Sequence, residues 1–155
     1  MSEPSPRVLV VGLGNALRRD DGCGLEVVER VRARAPDDET VLAWEGEPTA
    51  LFELWDRATE VVLVDATAPC GSPGTIRRFD VALRALPRQH FSLSSHAVGL
   101  GDAIETARAL GRLPATLIVY GIEGADFGLG SGLTQDVERS VSVVADCLAA
   151  EIGAG

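Results

Sequence analysis

Apolar residues in this chain come in two rhythms, short unbroken runs and helical repeats, and the two alternate. Val8 to Val11 is a run of apolar, largely β-branched residues, the pattern of a strand buried on both faces. Gly12 and Gly14 follow where the backbone must turn sharply, and Leu25, Val28, Val31 and Ala35 then recur on one helical face. That helix is expected to end near Ala35, at the polar break Pro36-Asp37-Asp38. Thr40 to Trp44 reads as a second strand and Glu45 to Pro48 as a turn. Thr49 to Trp55 reads as a short helix burying Leu51 and Leu54 or Phe52 and Trp55. Val61 to Val64, bounded by Glu60 and Asp65, is the clearest strand.

Beyond it Ala66 to Gly74 reads as a Pro-, Gly- and Ser-rich loop, and Thr75 to Phe79 as a further strand before Pro87. Leu100, Ala103, Ile104, Ala107 and Leu110 return at helical spacing from Val98 onward, and Gly111 and Pro114 close that helix. Thr116 to Tyr120 is another buried strand. Gly121 to Gly132 holds five glycines in twelve residues and is expected to be a mobile or sharply turning loop. Thr134 then stands as the cap of a last helix whose Val137, Val141, Val144, Leu148 and Ile152 share a face.

Strands that are apolar throughout, alternating with helices, predict an α/β fold: a doubly wound, mostly parallel sheet of about five strands with helices on both faces. At 155 residues this is one domain, with residues 1–6 expected as a flexible tail. The composition, 46% hydrophobic and 24% charged, is that of a globular protein. The net charge of −9 argues against a nucleic-acid or anionic-membrane partner. All 14 basic residues are arginine. No apolar run approaches the ~20 residues of a membrane span and no apolar signal segment opens the chain, so a cytoplasmic protein is expected. Cys23, Cys70 and Cys147 have no metal-ligand spacing and make a disulfide framework improbable. No heptad pattern or surplus apolar helix face advertises a stable partner, so a monomer is expected.

In a doubly wound sheet, ligands sit where loops leave the carboxyl ends of the strands. Three chemically capable groups fall there: the pair Asp20 and Asp21 behind the glycine turn, Asp65 after Val61 to Val64, and His96 in SLSSHAVGL. Two carboxylates and an imidazole from three loops suit a divalent borderline metal such as nickel or zinc. Each also has a plainer reading, Asp65 as a turn former and His96 as a helix cap or packed residue. Of the acidic pair, Asp20 is expected to be the capping or solvated member and Asp21 the inward one. His90, in PRQHF, is expected at the surface. Cys23, near a helix start, is read as small packing and not as a nucleophile. GLGNAL is half of a dinucleotide fingerprint, with Leu17 at the third glycine position.

The chain resembles the hydrogenase maturation proteases, which trim the C-terminal extension from the large-subunit precursor of nickel-iron hydrogenases. GLGNALRRDDGCG, LVDAT with PGT downstream, SSHAVGL, and VYGIEGADFGLGSGLTQDV carry the likeness, which covers nearly the whole length. It implies that Asp21, Asp65 and His96 are the metal ligands and the catalytic residues. The first is a glutamate in some members, one methylene longer than Asp. It also implies that the metal is nickel already inserted in the precursor, with no permanent organic cofactor, and that the nickel-loaded precursor is the partner. No serine or cysteine is paired with a base in the sequence, in keeping with hydrolysis by water. Gly22, Gly24 and Gly121 to Gly132 are candidates for letting a peptide backbone approach, or simply for turn geometry. Two alternatives remain: a peptidyl-tRNA hydrolase, whose GLGN turn is alike but is followed by an Arg-His-Asn segment where this chain has RRDDGCG, and a non-catalytic metal- or nucleotide-binding module.

Overall fold

A computed structural model describes residues 8–35, 40–91 and 99–154. The expected N-terminal tail, the break at Pro36-Asp37-Asp38 and the candidate ligand His96 lie outside the described residues. Five strands form one sheet: β1 (Val8–Leu13), β2 (Val41–Trp44), β3 (Glu60–Thr67), β4 (Ile76–Asp80) and β5 (Thr116–Glu123), in the order β2-β1-β3-β5-β4. The first four in that order are parallel, and β4 runs antiparallel at the edge. Among the described residues four α-helices cover the sheet: α1 (Cys23–Arg34), α2 (Leu51–Trp55), α3 (Leu100–Ala109) and α4 (Gln135–Ala154).

Alternation along the strands divides the core in two. Val11, Val61, Leu63, Leu117 and Val119 face α2 and α3, with Leu51, Trp55 and Ile104. Val10, Val62, Val64, Ile118 and Tyr120 face α1 and α4, with Val28, Val137, Val141 and Leu148. The central stretches of β1, β3 and β5 are apolar on both faces because both faces are roofed, whereas the edge strand β4, IRRFD, is not.

Two strands are longer than their apolar stretches. Pairing between β3 and β5 runs from Glu60↔Thr116 to Thr67↔Glu123, so Asp65, Ala66 and Thr67 belong to the strand, and Gly121 to Glu123, read as loop, is strand too. Hydropathy ends where the ladder does not, because β-pairing at a strand end needs only a neighbour's backbone.

The chain leaves β1 for β2 on one side and crosses to β3 on the other. A crevice therefore opens at the carboxyl ends of β1 and β3, where the winding reverses. Among the described residues no helix is long and apolar enough to cross a membrane.

Candidate active site

The link from β1 to α1 closes as a single 3-10 turn over Arg19–Gly22. Gly14 makes this possible. Its φ is 145°, and a Cβ there would lie 1.9 Å from the Asp21 carbonyl oxygen. Within the turn the Asp21 N–H donates to the Arg18 carbonyl at 3.1 Å, and the Asn15 N–H donates to the Asp21 carbonyl at 3.3 Å. Arg19 sits at φ 47°, the one described non-glycine residue with positive φ.

Asp20 is fully buried, which corrects the expectation that it is the solvated or capping member of the acidic pair. Its carboxylate accepts the N–H groups of Ala125 (2.9 Å), Asp126 (3.0 Å) and Thr134 (2.8 Å), and the Thr134 hydroxyl at 2.8 Å. Burial alone pushes its carboxyl up, but these donors, Thr134 first, outweigh it and hold the group below the ordinary carboxylate value. Asp20 therefore ties the opening turn to the glycine-rich segment before α4 instead of facing the crevice. The Thr134 hydroxyl, expected to cap α4, gives its hydrogen to Asp20.

Asp65, two residues before the end of β3, and Asp21, in the turn after β1, are both half-buried and lie at this crevice. Burial first, and the charge of Asp21 second, push the Asp65 carboxyl well above its ordinary value, against one bond donated by the Ala66 N–H at 2.8 Å. Two carboxyls that disturb each other this way relieve the repulsion by sharing a proton or by binding a cation. The donor set is hard oxygen, apt for a divalent ion presented from outside. Among the described residues no group of three or more His, Cys, Asp or Glu gathers around a metal-sized space. The third predicted ligand, His96, is outside them.

Cys23, the first residue of α1, is fully buried. Burial and the charges of Asp65, Asp21 and Asp20 push its thiol well up, which leaves it protonated and inert, as a packing residue should be. All three cysteines are free. His90 is half-buried, not solvated. Its Nδ1 lies 3.7 Å from the Cys70 sulfur, and its ring tilts against Phe79.

One residue at this edge has no counterpart in the sequence reading. Glu123, at the end of β5, is fully buried, accepts the Ser72 N–H at 2.7 Å, and takes two bonds of 3.2 Å from the Arg77 guanidinium. It fastens the loop after β3 to the sheet edge. Its sequence setting, GIEGAD, reads as loop, and only its place inside a glycine-flanked apolar run hinted otherwise.

A cavity of about 390 Å³ lies beside the opening turn, lined by Ala16, Arg19, Gly22, Glu26, Glu45 and Gly132 among others. Two of the glycines suggested for peptide approach, Gly22 and Gly132, thus border open space. Gly24 does not: it is there for packing, since a Cβ would lie 2.3 Å from the Val64 carbonyl oxygen and 2.4 Å from that of Leu13.

Comparison with known proteins gives a consistent result. Residues 25–151 match a family model described as hydrogenase maturation protease. The chain is 30% identical over 146 residues to the hydrogenase expression/formation protein HupD of Bradyrhizobium diazoefficiens, across 91% of this chain and 75% of that one. It is 29% identical over 139 residues to the hydrogenase 2 maturation protease of Escherichia coli, across 87% of this chain and 84% of the relative. In three dimensions it is similar to the hydrogenase maturating endopeptidase HybD from Escherichia coli, with a TM-score of 0.72 over 96% of this chain and 94% of that one. At 24% identity that is a likeness of fold.

Proposed function

The chain belongs to the hydrogenase maturation protease family, and from that premise we propose that it removes the C-terminal extension of a nickel-iron hydrogenase large-subunit precursor after reading the nickel inserted there. The observation that carries the reading is the pairing of Asp21 and Asp65 at the switch point of the sheet, with the Asp65 carboxyl pushed up beside its neighbour. Asp21, Asp65 and His96 would complete the coordination of nickel that arrives with the substrate. That ion supplies Lewis-acid polarisation of the scissile carbonyl when bound.

The protein's own part is binding, orientation and proton transfer. Grasping the ion by two carboxylates and an imidazole fixes the precursor tail over the crevice and brings the scissile peptide beside Asp65. A water molecule adds to the peptide carbonyl carbon and gives one proton to a carboxylate. The carbon–nitrogen bond then breaks, and the proton passes to the leaving amine. A carboxyl whose pKa is raised is suited to both halves of that transfer, since it holds a proton more readily than an ordinary aspartate. Because the ion comes with the precursor, a precursor without nickel is held less firmly and cut less often. The cavity bordered by Gly22 and Gly132 offers room for the chain that approaches.

The reading is tested with the variants Asp21→Asn, Asp65→Asn and His96→Ala, mixed with nickel-loaded precursor while the mass of the large subunit is followed. Each is expected to lower cleavage about a hundredfold or more, the scale of losing a ligand or an acid–base group. Cleavage at the wild-type rate by Asp65→Asn would remove the carboxylate chemistry from the account.

A further inference from the structure

Asp20, Arg19 and the glycine-rich segment from Gly124 to Thr134 hold no metal and move no proton in the reaction above, yet they are joined by more bonds than a surface loop needs. The Arg19 N–H donates to the Gly130 carbonyl at 3.0 Å, and the Gly130 N–H donates to the Leu17 carbonyl at 2.9 Å. The Asp20 N–H donates to the Asp126 carbonyl at 3.0 Å. The Arg19 guanidinium lies 3.5 Å from the Asp126 carboxylate and packs so close to Gly130 that a Cβ there would be 3.3 Å from it. Gly130 itself has φ 134°, which an L side chain rarely adopts. At the centre the buried Asp20 carboxylate collects three backbone N–H groups and one hydroxyl from across the chain.

These contacts hold Arg19 in a left-handed conformation that persists only where the surroundings impose it. The strained residue is two positions before Asp21. From this geometry we infer that the glycine-rich segment is a template for the opening turn: through Asp20 and Arg19 it sets the direction from which the Asp21 carboxylate enters the crevice. Asp20, Arg19 and Thr134 are thus positioning residues, not catalytic ones. The inference rests on the proposed role of Asp21 in cleavage.

Two variants separate positioning from simple folding. Thr134→Val removes the hydroxyl bond to Asp20 at nearly constant shape, and Thr134→Ser restores it. Arg19→Gly suits φ 47° and removes the guanidinium's hold on Asp126 and Gly130 while relieving the strain, which should leave Tm unchanged or slightly raised. With nickel-loaded precursor, Thr134→Val and Arg19→Gly are expected to lower kcat about tenfold while KM changes little, since a misdirected carboxylate weakens the reacting geometry more than the encounter. Thr134→Ser is expected to recover most of the loss. A second readout needs no activity: the Asp21 backbone amide resonance should shift in Thr134→Val and return in Thr134→Ser.

Wild-type kcat in Arg19→Gly, or an Asp21 amide unmoved in Thr134→Val, overturns the inference. Should Thr134→Val fail to fold, Arg19→Gly decides by the same two readouts. If the wild-type protein does not cut the precursor at all, the cleavage reading falls, and the amide shift alone judges the template.

Discussion

Asp20 and Glu123 are the two fully buried acids among the described residues, and each pins a loop at the carboxyl end of the sheet. Burial by itself pushes the Glu123 carboxyl up. The backbone N–H groups of Cys70 and Ser72 and the Arg77 guanidinium outweigh it, so its pKa lies below the ordinary value of 4.5. A carboxyl depressed on folding contributes stability that is present above its unfolded pKa and is lost as pH falls through the folded one. The expected result is a protein that loses stability below about pH 4.5, with a shallower acid limb in Glu123→Gln. At neutral pH that variant should already be about 2 kcal/mol less stable, because Arg77 and the loop amides lose their ionised partner. Thermal melts from pH 3 to pH 7 check both points; identical acid limbs in the two proteins would contradict them.

Neither anchor could be assigned from the sequence. The partners of Asp20 lie 105 to 114 residues away along the chain, so no local window distinguishes it from Asp21. That Asp21 and Asp65 stand at strand ends was legible, because strand-end position is itself a local signal in an alternating α/β chain.

Among the elements, α1 is seated most tightly. Gly12 in β1 and Gly24 in α1 meet backbone to backbone, and a Cβ on Gly12 would lie 2.0 Å from the Gly24 carbonyl oxygen. Gly24→Ala therefore has to push the helix off β1 and β3. A cost of about 3 kcal/mol is expected, or a fall in Tm of roughly 10 °C for a domain of this size. Gly101, in the first turn of α3, has nothing within 4 Å of an added Cβ. Gly101→Ala should instead raise stability by about 0.5 kcal/mol through helix propensity. Circular dichroism melts of the two variants should move in opposite directions, and a common direction would mean that the packing at Gly24 has been misjudged.

Element type was readable at every described strand and helix, since the alternation of runs and 3.6-residue repeats is strong. Strand ends were not. Asp65 to Thr67 and Gly121 to Glu123 are strand only because each pairs with the other, and polar or glycine residues carry no trace of that in their own hydropathy. The antiparallel course of β4 is likewise a matter of where the chain returns, which periodicity does not encode.

Over the whole molecule, the sheet order places the ends of β1 and β3 side by side, which brings Asp21, in the turn after β1, and Asp65, within β3, to one crevice. α1 and α4, on one face of the sheet, are tied together by Arg30 with Glu138 and Arg34 with Asp146. The net charge of −9 favours cations over a phosphate backbone around the molecule. In the proposed function this crevice reads a metal ion carried by the substrate.

The direct measurement is the mass of a hydrogenase large subunit after incubation with the purified protein, in parallel for nickel-loaded and nickel-free precursor. Loss of the C-terminal extension is expected from the loaded precursor and an intact mass for the nickel-free one. Equal cleavage of both would contradict the proposed function.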